Sequence, residues 1–236
     1  IEFSKASGNI GAARTLVLHL VRNNSSSKML YVAIIISIWP ETLQIEDKTD
    51  SLLLKTIQFV ILKQVDDNKQ LVELICTKCN WVENNISLES IVDLCLDELS
   101  KLSKPFDESL FRISNSLLVL SRSQGWKWTY NQLICNKLGK FMVPTSSDEI
   151  LIAVIHIWGL LCKSEILNSD TIPTCIEPLR ARLHSLLLPQ TPVSFKVQIA
   201  AVEALLEMSC GYKGLYERIV TWYNSLSSTQ ILSISP

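Results

Sequence analysis

Residues 146–163, SSDEILIAVIHIWGLLCK, leave this chain little choice of fold. At about 100° per residue, Ile150, Val154, Ile157, Trp158 and Leu161 share one face of a helix. Leu151, Ile152, Ile155 and Leu160 cover most of the remainder. Only Glu149, His156 and Lys163, spaced by seven, form a polar line. A helix so apolar around its circumference has to be buried on nearly every side, so other elements must enclose it. Ser146 and Glu149 stand at capping-box spacing. Asp148 and Glu149 near the start and Lys163 at the end suit the macrodipole. The apolar runs 150–162 and 29–39 both fall short of the roughly 20 residues that a spanning helix needs. Both read as core, with Trp158 near its centre.

The rest of the chain shows the same period and no convincing strand. Helices are expected over 9–21, 27–39, 51–64, 67–78, 87–102, from Pro105 to Gly125, over 126–141, 146–163, 171–188, from Thr191 to Gly211, and from Leu215 to Leu226. Pro40 ends the second, because it cannot continue a helix and disfavours α at the residue before it. Pro178 either starts the helix around it or kinks it. Thr191 and Pro192 read as a cap with proline at the first helical position. Short loops between helices of this length give antiparallel hairpins. The expectation is an all-α fold of antiparallel hairpins stacked as a HEAT-like α-solenoid of about ten to eleven helices. It forms a single interaction domain over 1–230, with 231–236 a frayed tail. Val197, Ala200, Ala201, Ala204, Leu205 and Met208 resemble the second helix of a HEAT repeat, with small residues where helices cross.

Composition supports a packed interior: 47% of residues are hydrophobic, 19% are charged and only 7 are glycine. The seven cysteines are an odd number set in apolar helical patterns. They read as reduced, buried thiols of a nuclear or, alternatively, cytoplasmic protein. The start, Ile-Glu-Phe-Ser, lacks Met and suggests a fragment of a longer protein. Cys76-x-x-Cys79 is the one metal-like spacing, but zinc wants four ligands and no second pair matches it. His19, His156 and His184 are isolated from any Ser, Cys or carboxylate motif. No GxSxG, HExxH, P-loop or GxGxxG occurs. The chain is therefore expected to be no enzyme and to need no cofactor, metal or small-molecule substrate.

Charge is divided along the chain, although the net charge is only −1. Residues 41–100 hold twelve acidic and five basic side chains. Residues 101–140 hold seven basic side chains against Asp107 and Glu108. Such asymmetry favours steered association with a polar partner surface. Within the basic part, Trp126, Tyr130, Leu133 and Leu138 share an apolar arc, and Trp128 lies off it. Trp is a favoured interface anchor. The candidate partner-binding residues are Arg112, Arg122, Lys127, Trp128, Lys137 and Lys140; the competing expectation is that Trp128 only glues two helices.

Three stretches carry a resemblance: Gly11-Ala12-Ala13-Arg14-Thr15-Leu16, Tyr31 to Pro40 with its Ile-Trp-Pro-Glu end, and Gly125 to Leu133. Together they resemble the C-terminal region of the large scaffold subunit of the little elongation complex. The resemblance implies a nuclear assembly factor for RNA polymerase transcription of small nuclear RNA genes. Its partners would be other protein subunits of a multi-subunit complex, with no membrane. The alternative it implies is an RNA- or DEAD-box-helicase-binding adaptor like the middle domain of the translation-initiation scaffold. Direct nucleic-acid contact is the less favoured of the two.

Overall fold

A computed structural model of the chain describes residues 8–9, 11–12, 15, 88–104, 108–143, 145–169 and 171–234. Among these, every regular element is a helix and none is a strand. The helices expected over 27–39, 51–64 and 67–78 lie outside the described residues. Of that over 9–21, Gly11, Ala12 and Thr15 are helical, and Asn9 Oδ1 accepts from the Ala12 amide at 3.1 Å as a cap does.

The chain divides into two compact units, Ile1–Lys101 with Phe111–Ser123, and Leu102–Leu110 with Gln124–Pro236. In the first, α1 (Leu88–Ser100) buries Ile91, Val92, Cys95, Leu96 and Leu99, a spacing of three and four. Helix α2 (Glu108–Gln124) buries Ile113, Leu117, Leu118 and Leu120, as its period predicts, together with Ser114, Ser116 and Ser121.

In the second unit, α3 (Trp126–Trp128) runs directly into a π-helix (Thr129–Lys137) and a 3-10 turn (Leu138–Phe141). Then follow α4 (Asp148–Asn168), α5 (Ile176–Ser185), α6 (Phe195–Glu207), α7 (Leu215–Asn224) and α8 (Ser228–Ile234). Helix α8 occupies most of the stretch expected to fray.

Two caps shift from their expected places. Ser147, not Ser146, caps α4: its Oγ accepts from Ile150 N at 3.4 Å, while the Ser146 amide closes a turn onto Val143 O. Helix α4 also continues past Lys163, because nothing breaks it before Asn168. There Asn168 Nδ2 donates to Ser164 O and Ser169 Oγ to Glu165 Oε1, both at 2.5 Å. Thr191 does not cap α6. Its hydroxyl donates to Ser185 O at 2.6 Å, and Ser194, in extended backbone, takes the cap with Oγ 3.4 Å from Val197 N. Helix α5 starts at Ile176, so Pro178 falls in the first turn, where an amide hydrogen has no helical partner to lose.

Helix α4 is the centre of the unit. At 21 residues it is long and apolar enough to cross a bilayer by length and composition, but most of its apolar span is buried in the structure. Ala153, Val154, Ile155, Ile157, Trp158 and Leu161 are essentially inaccessible. It packs chiefly on α6, and α6 packs in turn on α5. The α4–α6 crossing is close because both helices are small there. A Cβ on Gly159 would lie 3.1 Å from Ala204 Cα and 3.2 Å from its Cβ. Val197, Ala200, Ala201, Ala204, Leu205 and Met208 are all buried, as the small-residue pattern predicts. Helix α7 adds Trp222, whose ring stacks on Phe195 at 6.2 Å and whose Nε1 donates to Gln198 Oε1 at 3.1 Å.

Two outcomes follow. Trp158→Ala empties the middle of α4 and should cost about 3–5 kcal/mol in chemical denaturation; a variant that unfolds with the parent would show that α4 is not central. Gly159→Ala should cost about 1–3 kcal/mol by overpacking against backbone. Adding Ala204→Gly should recover part of that loss, giving a coupling above roughly 0.5 kcal/mol in a double-mutant cycle.

Candidate functional site

Gly125 sits at φ 79°, a conformation that a residue with a Cβ resists, and it separates α2 from α3. From there the chain winds more widely than an α-helix. Thr129 is buried and its Oγ1 donates back to Gly125 O at 3.0 Å. The buried positions Thr129, Leu133, Ile134 and Leu138 recur at intervals of four and five, which suits i→i+5 winding. Gly139 then lets the backbone tighten, since a Cβ there would lie 3.2 Å from Ile134 O.

This winding separates the two tryptophans. Trp126 turns into the unit: its Nε1 donates to Cys175 Sγ at 2.9 Å and its ring lies 6.2 Å from Tyr130. Trp128 is half-buried, and no hydrogen bond or ring contact engages its indole among the described residues. Beside it the exposed surface carries Lys127, Asn131, Gln132 and Asn136. Asn131 Nδ2 donates to Lys127 O at 3.0 Å and Asn136 Nδ2 to Gln132 Oε1 at 3.3 Å, which fixes that polar surface.

The six candidate residues fall in both units. Arg112, half-buried, and Arg122, exposed, lie on α2 within the first. Lys127, Trp128, Lys137 and Lys140 lie in the second, along the α3 to 3-10 segment. Lys127 and Lys140 are exposed, and Lys137 is half-buried.

Two arginines of α5 matter more to this surface than their place in the sequence suggested. Arg182 Nη2 donates to Met142 O at 2.9 Å, and its guanidinium sits 5.5 Å above the Trp158 ring, tying the end of the segment to α4. Arg180 is buried. Its Nη1 pairs with Glu177 Oε1 at 2.5 Å, while Nη2 donates to the carbonyls of Met208 and of Cys210, the latter at 2.7 Å. Tyr212 covers it at 4.8 Å. The signal was available: Arg180 interrupts the apolar stripe Ile176, Leu179, Leu183, where a charge has to be paired.

In the second unit Cys135, Cys162 and Cys175 lie near Tyr130, and in the first Cys95 is buried in α1. Burial pushes Cys95 and Cys162 up to about 12, with nearby Cys175 adding to the second. Burial, and then the thiols of Cys135, Cys175 and Cys162, raise the Tyr130 phenol. Among the described residues no group of three His, Cys, Asp or Glu is placed to hold a metal ion. Cys76, Cys79 and His19 lie outside them. His156 is exposed on α4 and lines a shallow groove with Glu203 and Glu207. His184 is lowered by partial burial and then by Arg218.

No protein family matches the chain, and no curated protein or solved structure is similar to it.

The thiols give a direct check. At pH 8 a thiol with a pKa near 12 is thiolate in roughly one molecule in ten thousand. Iodoacetamide should therefore label exposed Cys135 and Cys210 quickly and leave Cys95 and Cys162 unlabelled until denaturant is added. Peptide mass spectrometry reads this, and labelling of Cys162 at the rate of Cys135 would contradict the burial.

Proposed function

We propose that the chain is a protein-interaction scaffold domain, with helices stacked in a HEAT-like manner, that docks other subunits of a nuclear transcription complex. The observation that carries the docking reading is Trp128. A half-exposed indole with no hydrogen-bond or ring partner among the described residues, in a segment that also exposes Lys127 and Lys140, combines a large apolar anchor with charges that steer an acidic partner. Packing of α6 on both α4 and α5 supports the stacked arrangement. The assignment to a complex transcribing small nuclear RNA genes rests on the resemblance of 11–16, 31–40 and 125–133. Lysines on the same surface keep the RNA- or helicase-adaptor reading as the alternative.

The expected outcome is that Trp128→Ala loses capture of a nuclear complex subunit while its Tm stays close to the parent's. A hot-spot truncation of at least about 2 kcal/mol weakens binding roughly thirtyfold. Lys127→Glu with Lys140→Glu should weaken capture mainly at low salt, because screening already removes that contribution at high salt. Normal capture by Trp128→Ala would place the site elsewhere. Tight binding of small structured RNAs with a steep salt slope in a filter assay would favour the adaptor instead.

A further inference from the structure

A second surface lies on α5 and α7. The last turn of α5 and the residues after it face α7 across a groove of about 470 Å³. His184, Leu187, Leu188 and Pro189 line one side, and Arg218 and Trp222 the other. Leu187 and Trp222 are buried, so the floor is apolar. Its hydroxyls and its indole N–H already donate within the protein. Thr221 Oγ1 donates to Glu217 O at 2.8 Å, Ser225 Oγ to Trp222 O at 2.6 Å, and the Trp222 Nε1 to Gln198. What remains to recognise a ligand is shape and charge.

The charge is positive. Arg218 is exposed, with its guanidinium 5.6 Å over the Tyr212 ring, and among the described residues no carboxylate forms an ion pair with it. Glu217 also borders the groove, but its Oε2 lies 3.8 Å from the Cβ position of Gly214. It is thus turned to the N-terminus of α7, whose own positive end it offsets. His184, on the opposite wall, is held low by burial and then by Arg218, consistent with a local excess of positive charge. An apolar trough beside an unneutralised guanidinium complements an apolar side chain next to a carboxylate, because the fork of Arg takes carboxylates bidentately.

We propose that this groove docks a short acidic-apolar peptide segment of a partner protein, one apolar side chain entering between Leu187, Pro189 and Trp222 and an adjacent carboxylate pairing with Arg218. The inference stands apart from the Trp128 surface, so Trp128→Ala should leave it unchanged.

Fluorescence anisotropy with the 236-residue chain tests it. The probes are fluorescein-labelled nine-residue peptides: one with Asp and Glu flanking Leu and Phe, one with Lys in place of the acids, and one with Ala in place of Leu and Phe. The first should bind, and the other two should bind at least tenfold more weakly. Arg218→Glu should lose the acidic peptide by tenfold or more and gain the lysine peptide, while Arg218→Lys keeps most of the affinity. The exposed position of Arg218 makes these variants safe for folding, which unchanged melting confirms. Equal binding of acidic and basic peptides, or no binding of the first, overturns the proposal. So does a twelve-uridine RNA that binds through Arg218 where the acidic peptide does not, or a concentration-dependent dimer abolished by Arg218→Glu, which would make a second copy the occupant.

Discussion

The second unit depends on how near α4 and α6 can come to each other. Gly159 and Ala204 set that distance, with backbone separated from the nearest possible Cβ by 3.1 Å. At such a crossing the gain is dispersion: atoms at contact distance each contribute little, but two helices bring many together. Larger residues would lift the helices apart and expose Ile152, which borders the same crossing beside Ala200 and Ala204, to voids or water. Helix α6 then serves as the common wall. Trp222 of α7 rests on it through Phe195 and Gln198, and α5 is held to its end by Arg180.

Arg180 shows how a charge is tolerated inside this wall. Removing a guanidinium from water is expensive, and the cost is recovered only if its donors are used. Here Glu177, two backbone carbonyls and the Tyr212 face supply the partners, while Nε has none among the described residues. The arrangement fixes position more than it adds stability. A well-packed apolar residue could fill the volume, but it would leave the carbonyls of Met208 and Cys210 without those donors.

Much of the helical content was legible, because periodicity reports burial directly. Val197, Ala200, Ala201, Ala204, Leu205 and Met208 share the spacing of an inward face, and the structure buries all six. Trp158 was legible for the same reason. Caps were less so: Ser146 and Ser147 are adjacent and chemically alike, as are the candidates Thr191 and Ser194, and only the path of the preceding loop decides between them. The segment after Gly125 was read on an α wheel. Its π winding, which buries Thr129 along with Leu133, Ile134 and Leu138, is announced by no local propensity. Trp128 was still placed off the apolar arc, since neither winding aligns it with Trp126. The role of Arg180 is harder to read, because two of its partners are carbonyls 28 and 30 residues away.

That long reach has a consequence for motion. Helix ends ordinarily unwind one residue at a time, and α6 has no basic residue in its last turn to hold it. Here the carbonyls of Met208 and Cys210 are released only when Arg180 withdraws, and Arg180 is seated in α5. Unwinding the end of α6 and lifting α5 are therefore a single opening event. Amide hydrogen exchange at the end of α6 should therefore rise together with that of α5 when Arg180 is replaced.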